Sequence, residues 1–149
     1  MKKFKFSLDG VLSYKQQTLD AIRGEYAELM AQVHGQEGVV DGLWRRYRAY
    51  SEEYNQRSQT GLTVTDALMY QGGLRALERE IQQETDRLEK LRAKAEEKRE
   101  QMVEAKKDTA SIEKLREKKL DSYQKAVAKV EEASIEEFVS MKRAGAAGV

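Results

Sequence analysis

Apolar residues recur along this chain at alternating spacings of three and four residues, and this pattern is interrupted only once. Before the interruption the repeating positions are Leu8, Leu12, Lys15, Leu19, Ile22, Tyr26, Leu29, Val33, Gln36, Val40, Leu43, Tyr47, Tyr50 and Tyr54. After it they are Tyr70, Leu74, Leu77, Ile81, Glu84, Leu88, Leu91, Ala95, Lys98, Met102, Ala105, Thr109 and Ile112. A repeat sustained over so many turns is typical of a coiled coil rather than of an isolated surface helix.

The interruption, residues 57–64, predicts a turn between two helices. Gly61 can adopt the left-handed conformation that ends a helix. Thr65 can cap the helix that follows, with Asp66 as an acid in its first turn. The sequence therefore predicts a helical hairpin that bends at this point.

The two halves of the pattern match each other in antiparallel register. If the chain bends at the interruption, facing residues have numbers that sum to about 120 or 121, and Val33 faces Leu88. Gln36 then falls opposite Glu84, a polar layer of the kind that fixes register at some cost in stability. The agreement of many successive layers favours one antiparallel pair of helices.

We predict an all-α fold, a long antiparallel two-helix coiled-coil hairpin in which helix 2 overhangs helix 1. The expected boundaries, within a single domain of 1–149, are helix 1 at about 8–57, a turn at about 58–64, helix 2 at about 65–142 and a disordered tail at about 143–149. Near Arg116 the spacing of the pattern changes to four, four and three, a stutter that locally unwinds a coiled coil. Helix 1 has no residues left to pair at this point, so we expect the intramolecular pairing to end there.

An apolar stripe nevertheless continues beyond Arg116. Its members are Leu120, Tyr123, Val127, Val130, Ile135, Phe138 and Val139. Two interpretations are open: the N-terminal Phe4 and Phe6 fold back and shield part of the stripe, or a partner protein buries it. Exposed contiguous apolar surface usually marks an interaction site.

Composition excludes several classes of function. The chain has no Cys and no Pro, 36% of its residues are charged, and its net charge is +1 with both signs interspersed. Nucleic-acid-binding proteins usually present a basic face, so we expect no nucleic-acid partner. The lack of Cys excludes disulfides and thiolate metal sites and suits a reducing cytosol. No segment has the apolar length of a signal peptide or a membrane helix, so we expect a protein made in the cytosol.

We also expect no enzymatic activity. The lone His34 cannot anchor a typical zinc site without a second His or a Cys. Gly72 and Gly73 lack the pattern of a phosphate-binding loop. A two-helix coiled coil offers no concave pocket that would perturb its many carboxylates. The sequence therefore predicts no catalytic residue, metal, cofactor or small-molecule substrate.

Aromatic and basic residues concentrate near the turn. Trp44 is followed by Arg45, Arg46 and Arg48, beside the tyrosine-bearing part of the pattern. They form either an ordinary flank of the coiled coil or a recognition surface, because Trp, Tyr and Arg dominate the hot spots of protein interfaces.

Three stretches of the sequence resemble one family over essentially the whole chain. They are KFKFSLDGVL at residues 3–12, the positions Gly61, Tyr70, Leu74, Leu77, Glu78 and Ile81 after the turn, and IEEFV at residues 135–139. These stretches are similar to the FliJ proteins of the flagellar type III protein export apparatus. The resemblance implies an antiparallel two-helix coiled coil similar to the central stalk (gamma) subunit of rotary ATPases.

The resemblance also implies partners and a place of action. The end that carries the chain termini would insert into a hexameric export ATPase, FliI, and the turn-proximal region would contact the export gate membrane protein FlhA. Family members also serve as export chaperones or escorts, so export chaperones are a further class of partner. A protein in this role would be cytoplasmic, peripheral at the cytoplasmic face of the inner membrane, monomeric when isolated, and required for flagellum biogenesis, motility and chemotaxis.

The resemblance carries two sets of contact residues onto this chain. The implied gate contacts are Leu43, Tyr47, Tyr50, Tyr54, Leu77, Glu80 and Glu84. The implied contacts with the ATPase ring are Leu120, Tyr123, Val127, Val130, Ile135 and Phe138. One departure is Gly73, which stands where the resemblance leads us to expect a bulky apolar residue.

Two other functions fit the same features. One is the equivalent stalk of an injectisome-type secretion system. The other is a cytosolic coiled-coil adaptor or holdase that dimerises through the C-terminal overhang into a four-helix bundle. The mass in solution separates the last of these from a stalk, since a stalk should be a monomer when isolated.

Overall fold

The computed structural model describes residues 2–147 and contains two long helices that pack against each other. Helix α1 spans Asp9–Thr60 and helix α2 spans Val64–Ala147, and the described residues contain no strand. The predicted all-α helical hairpin is confirmed. The helices form because good helix formers dominate both segments and because an apolar face repeats along each of them.

The turn is shorter than predicted, because α1 continues past Arg57. The hydroxyl of Ser58 donates a hydrogen bond to the carbonyl of Tyr54 at 2.8 Å, and that of Thr60 donates to the carbonyl of Arg57 at 3.2 Å. Gly61 then ends the helix with a φ of 106°, the left-handed conformation predicted for it.

Helix α2 is capped by a different threonine from the one predicted. The Thr63 hydroxyl accepts a hydrogen bond from the backbone N–H of Asp66 at 3.1 Å, so Thr63 is the N-cap and Thr65 lies inside the helix. Asp66 does supply the acid in the first turn.

At its other end α2 runs further than expected. The predicted end at about residue 142 and the predicted disordered tail at 143–149 give way to a helix that continues to Ala147. Ala144, Ala146 and Ala147 have the highest helix propensity of any residue type, which favours this extension despite Gly145. Residues 148 and 149 lie outside the described residues.

The chain divides into two compact units. The turn unit comprises Ala21–Val103, and the terminal unit comprises the two ends of the chain, up to Asp20 and from Glu104 onward. In the turn unit the buried side chains of Val33, Leu88 and Ala95 form one cluster, with Tyr26 and Leu29 packed against it. These are the residues that the antiparallel register places opposite one another.

The predicted polar layer is also present in the turn unit. The Gln36 side chain donates hydrogen bonds to the backbone carbonyl of Glu84 at 3.0 Å and to its carboxylate. A partly buried amide that is satisfied in only one register helps specify that register.

The terminal unit is antiparallel as well. Thr109 is buried, and its hydroxyl donates to the carbonyl of Ala105 at 2.8 Å and approaches that of Lys15 at 3.5 Å. Arg116, where the stutter was identified, lies 3.4 Å from the carboxylate of Asp9, the first residue of α1. The stutter therefore coincides with the start of α1.

Candidate partner-binding surfaces

An aromatic cluster lies next to the turn and involves two of the predicted gate contacts. The ring centroid of the buried Tyr70 lies 5.0 Å from that of Tyr50 and 5.3 Å from that of Tyr54. The guanidinium of Arg57 donates a hydrogen bond to the Tyr70 hydroxyl at 3.1 Å. Aromatic pairs at such distances contribute more favourable energy than the burial of their surface area alone. The cluster therefore stabilises the packing of α1 on α2 near the turn.

Gly73 provides the space for one of these rings. A Cβ atom at this position would lie 2.6 Å from Cε1 and 2.8 Å from the hydroxyl oxygen of Tyr50, well inside contact distance. The Tyr50 ring therefore lies over the backbone of α2 where a bulky residue was expected. The ring of Tyr50, on α1, thus occupies the space that a bulky side chain at position 73 would fill.

Beside Gly73 a groove of about 500 Å³ opens on the turn unit. Its lining comprises Arg46, Ala49, Tyr50, Glu53, Gly73, Ala76, Leu77 and Glu80. Apolar surface from Tyr50 and Leu77 is thus bordered by a guanidinium and two carboxylates. This combination of an apolar floor and a charged rim is typical of protein-binding surfaces.

Only part of the predicted gate-contact set lines this groove. Tyr50, Leu77 and Glu80 do so, whereas Leu43 is buried. The Glu84 side chain is mostly buried and accepts hydrogen bonds from Gln36 and Arg87.

The other predicted residues have polar partners of their own. The Tyr47 hydroxyl donates to the Glu78 carboxylate at 3.1 Å, and this bond together with the nearby negative charge raises the pKa of Tyr47. The Tyr54 hydroxyl accepts from the side chain of Gln71 at 3.3 Å. Both tyrosines of α1 are therefore hydrogen-bonded to residues of α2.

Sequence reasoning missed three lining residues of the groove, which are Ala49, Glu53 and Ala76. Gly73 was noted as a departure from the family resemblance, and Arg46 as part of either a coiled-coil flank or a recognition surface. Gly73 and Ala76 border the repeat positions Leu74 and Leu77, and small residues beside an aromatic-rich stretch are the one signal that could have indicated a recess.

Trp44 is partly exposed on the same unit. Its ring meets that of Tyr47 edge-on, with centroids 5.6 Å apart and an interplanar angle of 81°. This packing holds the indole at the surface beside Tyr47.

In the terminal unit the N-terminal residues fold back onto α2. The Phe4 ring lies 5.6 Å from the Tyr123 ring, and the Arg116 guanidinium lies over the Phe4 ring at 5.6 Å. The Tyr123 hydroxyl donates a hydrogen bond to the carbonyl of Lys2, and Phe6 is buried. The fold-back interpretation therefore holds for the stripe as far as Tyr123.

Beyond Tyr123 the members of the stripe are exposed from Val130 onward. Val127 is half-buried, whereas Val130 is 50%, Phe138 59% and Ile135 63% exposed. Val127, Val130 and Ile135 line a shallow groove of about 470 Å³ together with Glu131 and Ser134. Leu120 is half-buried. The predicted ring contacts thus divide into a shielded pair, Leu120 and Tyr123, and an exposed series that follows Val127.

His34 lies on the surface, with its Nδ1 atom 3.6 Å from the Glu37 carboxylate. Within residues 2–147 no three His, Cys, Asp or Glu side chains are grouped so as to hold a metal ion. In the same part of the chain, neither helix is apolar over a length that could cross a membrane.

Comparison with known proteins points to one family. Residues 4–148, essentially the whole chain, match the family described as flagellar FliJ protein. The comparisons with curated proteins and with solved structures gave no match. FliJ proteins are non-enzymatic structural or escort proteins associated with flagellar protein export. The extent of the match, together with the helical hairpin, shows that the chain belongs to the flagellar FliJ protein family.

Proposed function

We propose that the protein is a stalk or escort that links the hexameric export ATPase to the export gate and regulates the assembly and activity of the ATPase. It would act at the cytoplasmic face of the inner membrane, and export chaperones would be further partners. The observation that carries the proposal is the exposed series Val130, Ile135 and Phe138 at the end of α2.

The physical argument rests on the contrast between this series and the rest of the chain. With 36% charged residues, the protein could cover this face of α2 with polar side chains, yet large apolar ones occupy it. Burying apolar area gains about 25 cal/mol per Å², so a partner that encloses this face of α2 gains affinity from several side chains at once. A ring that surrounds a single helix provides such an enclosure.

The turn unit supplies the surface that we assign to the export gate. Tyr50, Leu77 and Glu80 are the gate contacts that line its groove, and the charged rim offers polar partners for orientation. Leu43 and Glu84 would then support the contact indirectly, because they pack between the helices.

The experiment introduces charge into the exposed series. In the double variant V130D/I135D both changes fall on exposed positions, so the free energy of unfolding should change by less than about 1 kcal/mol. The same carboxylates would be buried without partners in the complex, a cost of several kcal/mol. Stimulation of the cognate hexameric ATPase should therefore be lost while the melting temperature is preserved.

The matched control places two carboxylates on the other side of the same helix. Ala133 and Ser140 are exposed, and α2 rotates by about 100° per residue, so A133D/S140D leaves the apolar series intact. Stimulation by this variant should equal that of the wild type. Normal stimulation by V130D/I135D would refute the proposal. A stable wild-type dimer that V130D/I135D converts to monomers would assign the surface to self-association instead.

A further inference from the structure

The N-terminal lead, residues 2–7, has no helix or strand and covers part of the apolar stripe. It precedes α1, which begins at Asp9, and it contacts α2 at Arg116 and Tyr123. The lead thus covers α2 beyond the point where α1 begins, and the shielding of Tyr123 depends on a segment without regular secondary structure.

The two halves of the lead are held differently. Phe6 is only 7% exposed, and its carbonyl accepts a hydrogen bond from the backbone N–H of Asp9 at 3.1 Å. Phe6 is therefore an anchor fixed to the first turn of α1. Phe4 is half-buried and its ring packs at a tilt of 45° against that of Tyr123, so the outer half of the lead depends on a few surface contacts.

The outer half is also loosely packed against the helix. An open space of about 810 Å³ remains between the lead and α2, lined by Lys2, Lys3, Phe4, Lys5 and Tyr123. The three lysines are exposed. Segments with few buried apolar contacts open at a small fraction of the cost of global unfolding.

We propose that residues 2–5 form an autoinhibitory strap that pivots on Phe6 and competes with a partner for Tyr123. In the docked state the strap shortens the free apolar surface, which then starts at Val127. In the released state Tyr123 joins that surface. This regulation rests on the proposed function in one respect, since the competitor is the ATPase ring that we assign to the stripe.

The first arm of the test uses the isolated protein. Tyr123→Phe removes the hydroxyl that bonds to the Lys2 carbonyl but keeps the apolar ring. Loss of one hydrogen bond should raise the released population about two- to tenfold, and with it the rate of tryptic cleavage between Lys3 and Phe4. Helicity and melting temperature serve as checks that the helices are intact.

The second arm measures binding to the hexameric ATPase. Phe4→Ala removes the ring that covers Tyr123 and changes no residue that we assign to the ring contact. Because apparent affinity scales with the competent fraction, binding should tighten about two- to tenfold. Tyr14 is 69% exposed in the same unit, and Tyr14→Ala, which also removes an aromatic ring, should leave the affinity unchanged.

The outcomes separate the strap from the proposed function. Unchanged cleavage in Tyr123→Phe, or weaker or unchanged ATPase binding in Phe4→Ala, would overturn the strap, because the lead would then be undocked or part of the interface. Normal stimulation by V130D/I135D refutes the proposed function alone. If neither the wild type nor Phe4→Ala binds the ATPase, competition with the ring is overturned, even if the cleavage arm shows that the lead docks.

Discussion

Replacing Gly73 by alanine should separate the effect of helix propensity from that of the recess under Tyr50. The added Cβ would lie 2.6 Å from Cε1 of Tyr50, whereas carbon atoms in contact are about 3.5–4.0 Å apart. The end of the Tyr50 ring must therefore move by about 1 Å, away from its place beside Tyr70 at a centroid distance of 5.0 Å. An aromatic pair contributes about 0.5–1.5 kcal/mol beyond its area.

Gly72 provides the matched control. A Cβ at Gly72 meets nothing within 4 Å, so Gly72→Ala should gain the full helix-propensity difference of about 0.8–1.0 kcal/mol. In Gly73→Ala the same gain is offset by the displaced tyrosine, and the net change should be close to zero. For a chain of this size about 1 kcal/mol corresponds to about 2–4 °C in melting temperature.

The assay is thermal unfolding followed by circular dichroism. Gly72→Ala should melt about 2–4 °C higher than Gly73→Ala. Equal stabilisation by the two substitutions would mean that the position of the Tyr50 ring does not depend on the absence of a side chain at Gly73, contrary to this prediction.

Three further predictions concern the turn unit. Leu88→Ala should lower the free energy of unfolding, measured with denaturant, by about 2–5 kcal/mol because it leaves a cavity in the core cluster. Leu68 is 62% exposed, so Leu68→Ala should lower it by less than about 1 kcal/mol. Similar losses in the two variants would contradict the assigned core. Cysteines at positions 33 and 88, where the buried Val33 and Leu88 share one cluster, should form a disulfide within one chain, and crosslinks only between chains in dilute solution would contradict the hairpin. The hydrogen bond to Glu78 raises the pKa of Tyr47, so this pair stabilises the fold below the ordinary tyrosine pKa and loses its effect as the pH rises through the raised value. Glu78→Gln should therefore lower the pKa of Tyr47 measured by ultraviolet titration. An unchanged titration would exclude the bond.

The hairpin could be predicted from the sequence because its determinants are local and periodic. Gly61 marks the turn through its own backbone preference, and the apolar repeat on each side fixes which residues face each other. Val33 and Leu88 therefore meet as expected. The helix ends were less predictable because neighbouring threonines, here Thr63 and Thr65, can each cap α2 and differ little in energy as caps.

The surfaces were harder to predict because they depend on side-chain direction. The groove beside Gly73 is lined by the Tyr50 ring, which extends over Gly73 from the other helix. The spacing of apolar residues in the sequence does not predict the direction of that ring. The sequence left open whether Phe4 and Phe6 or a partner protein covers the stripe, because two alternating aromatic residues do not indicate which side chain they contact. The structure shows that Phe4 contacts Tyr123. The exposed stripe, in contrast, followed from counting the residues of α2 that extend past the start of α1.

We propose that the exposed end of α2 contacts the ATPase ring, and site-specific photo-crosslinking would detect this contact. A benzophenone amino acid placed at position 135, in the apolar series, should crosslink to the ATPase in high yield, whereas the same group at position 133, where the exposed Ala133 lies outside the series, should react weakly. Mass spectrometry of the products would map the contacted residues of the ring. No crosslink from position 135, or equal yields from the two positions, would contradict the claim.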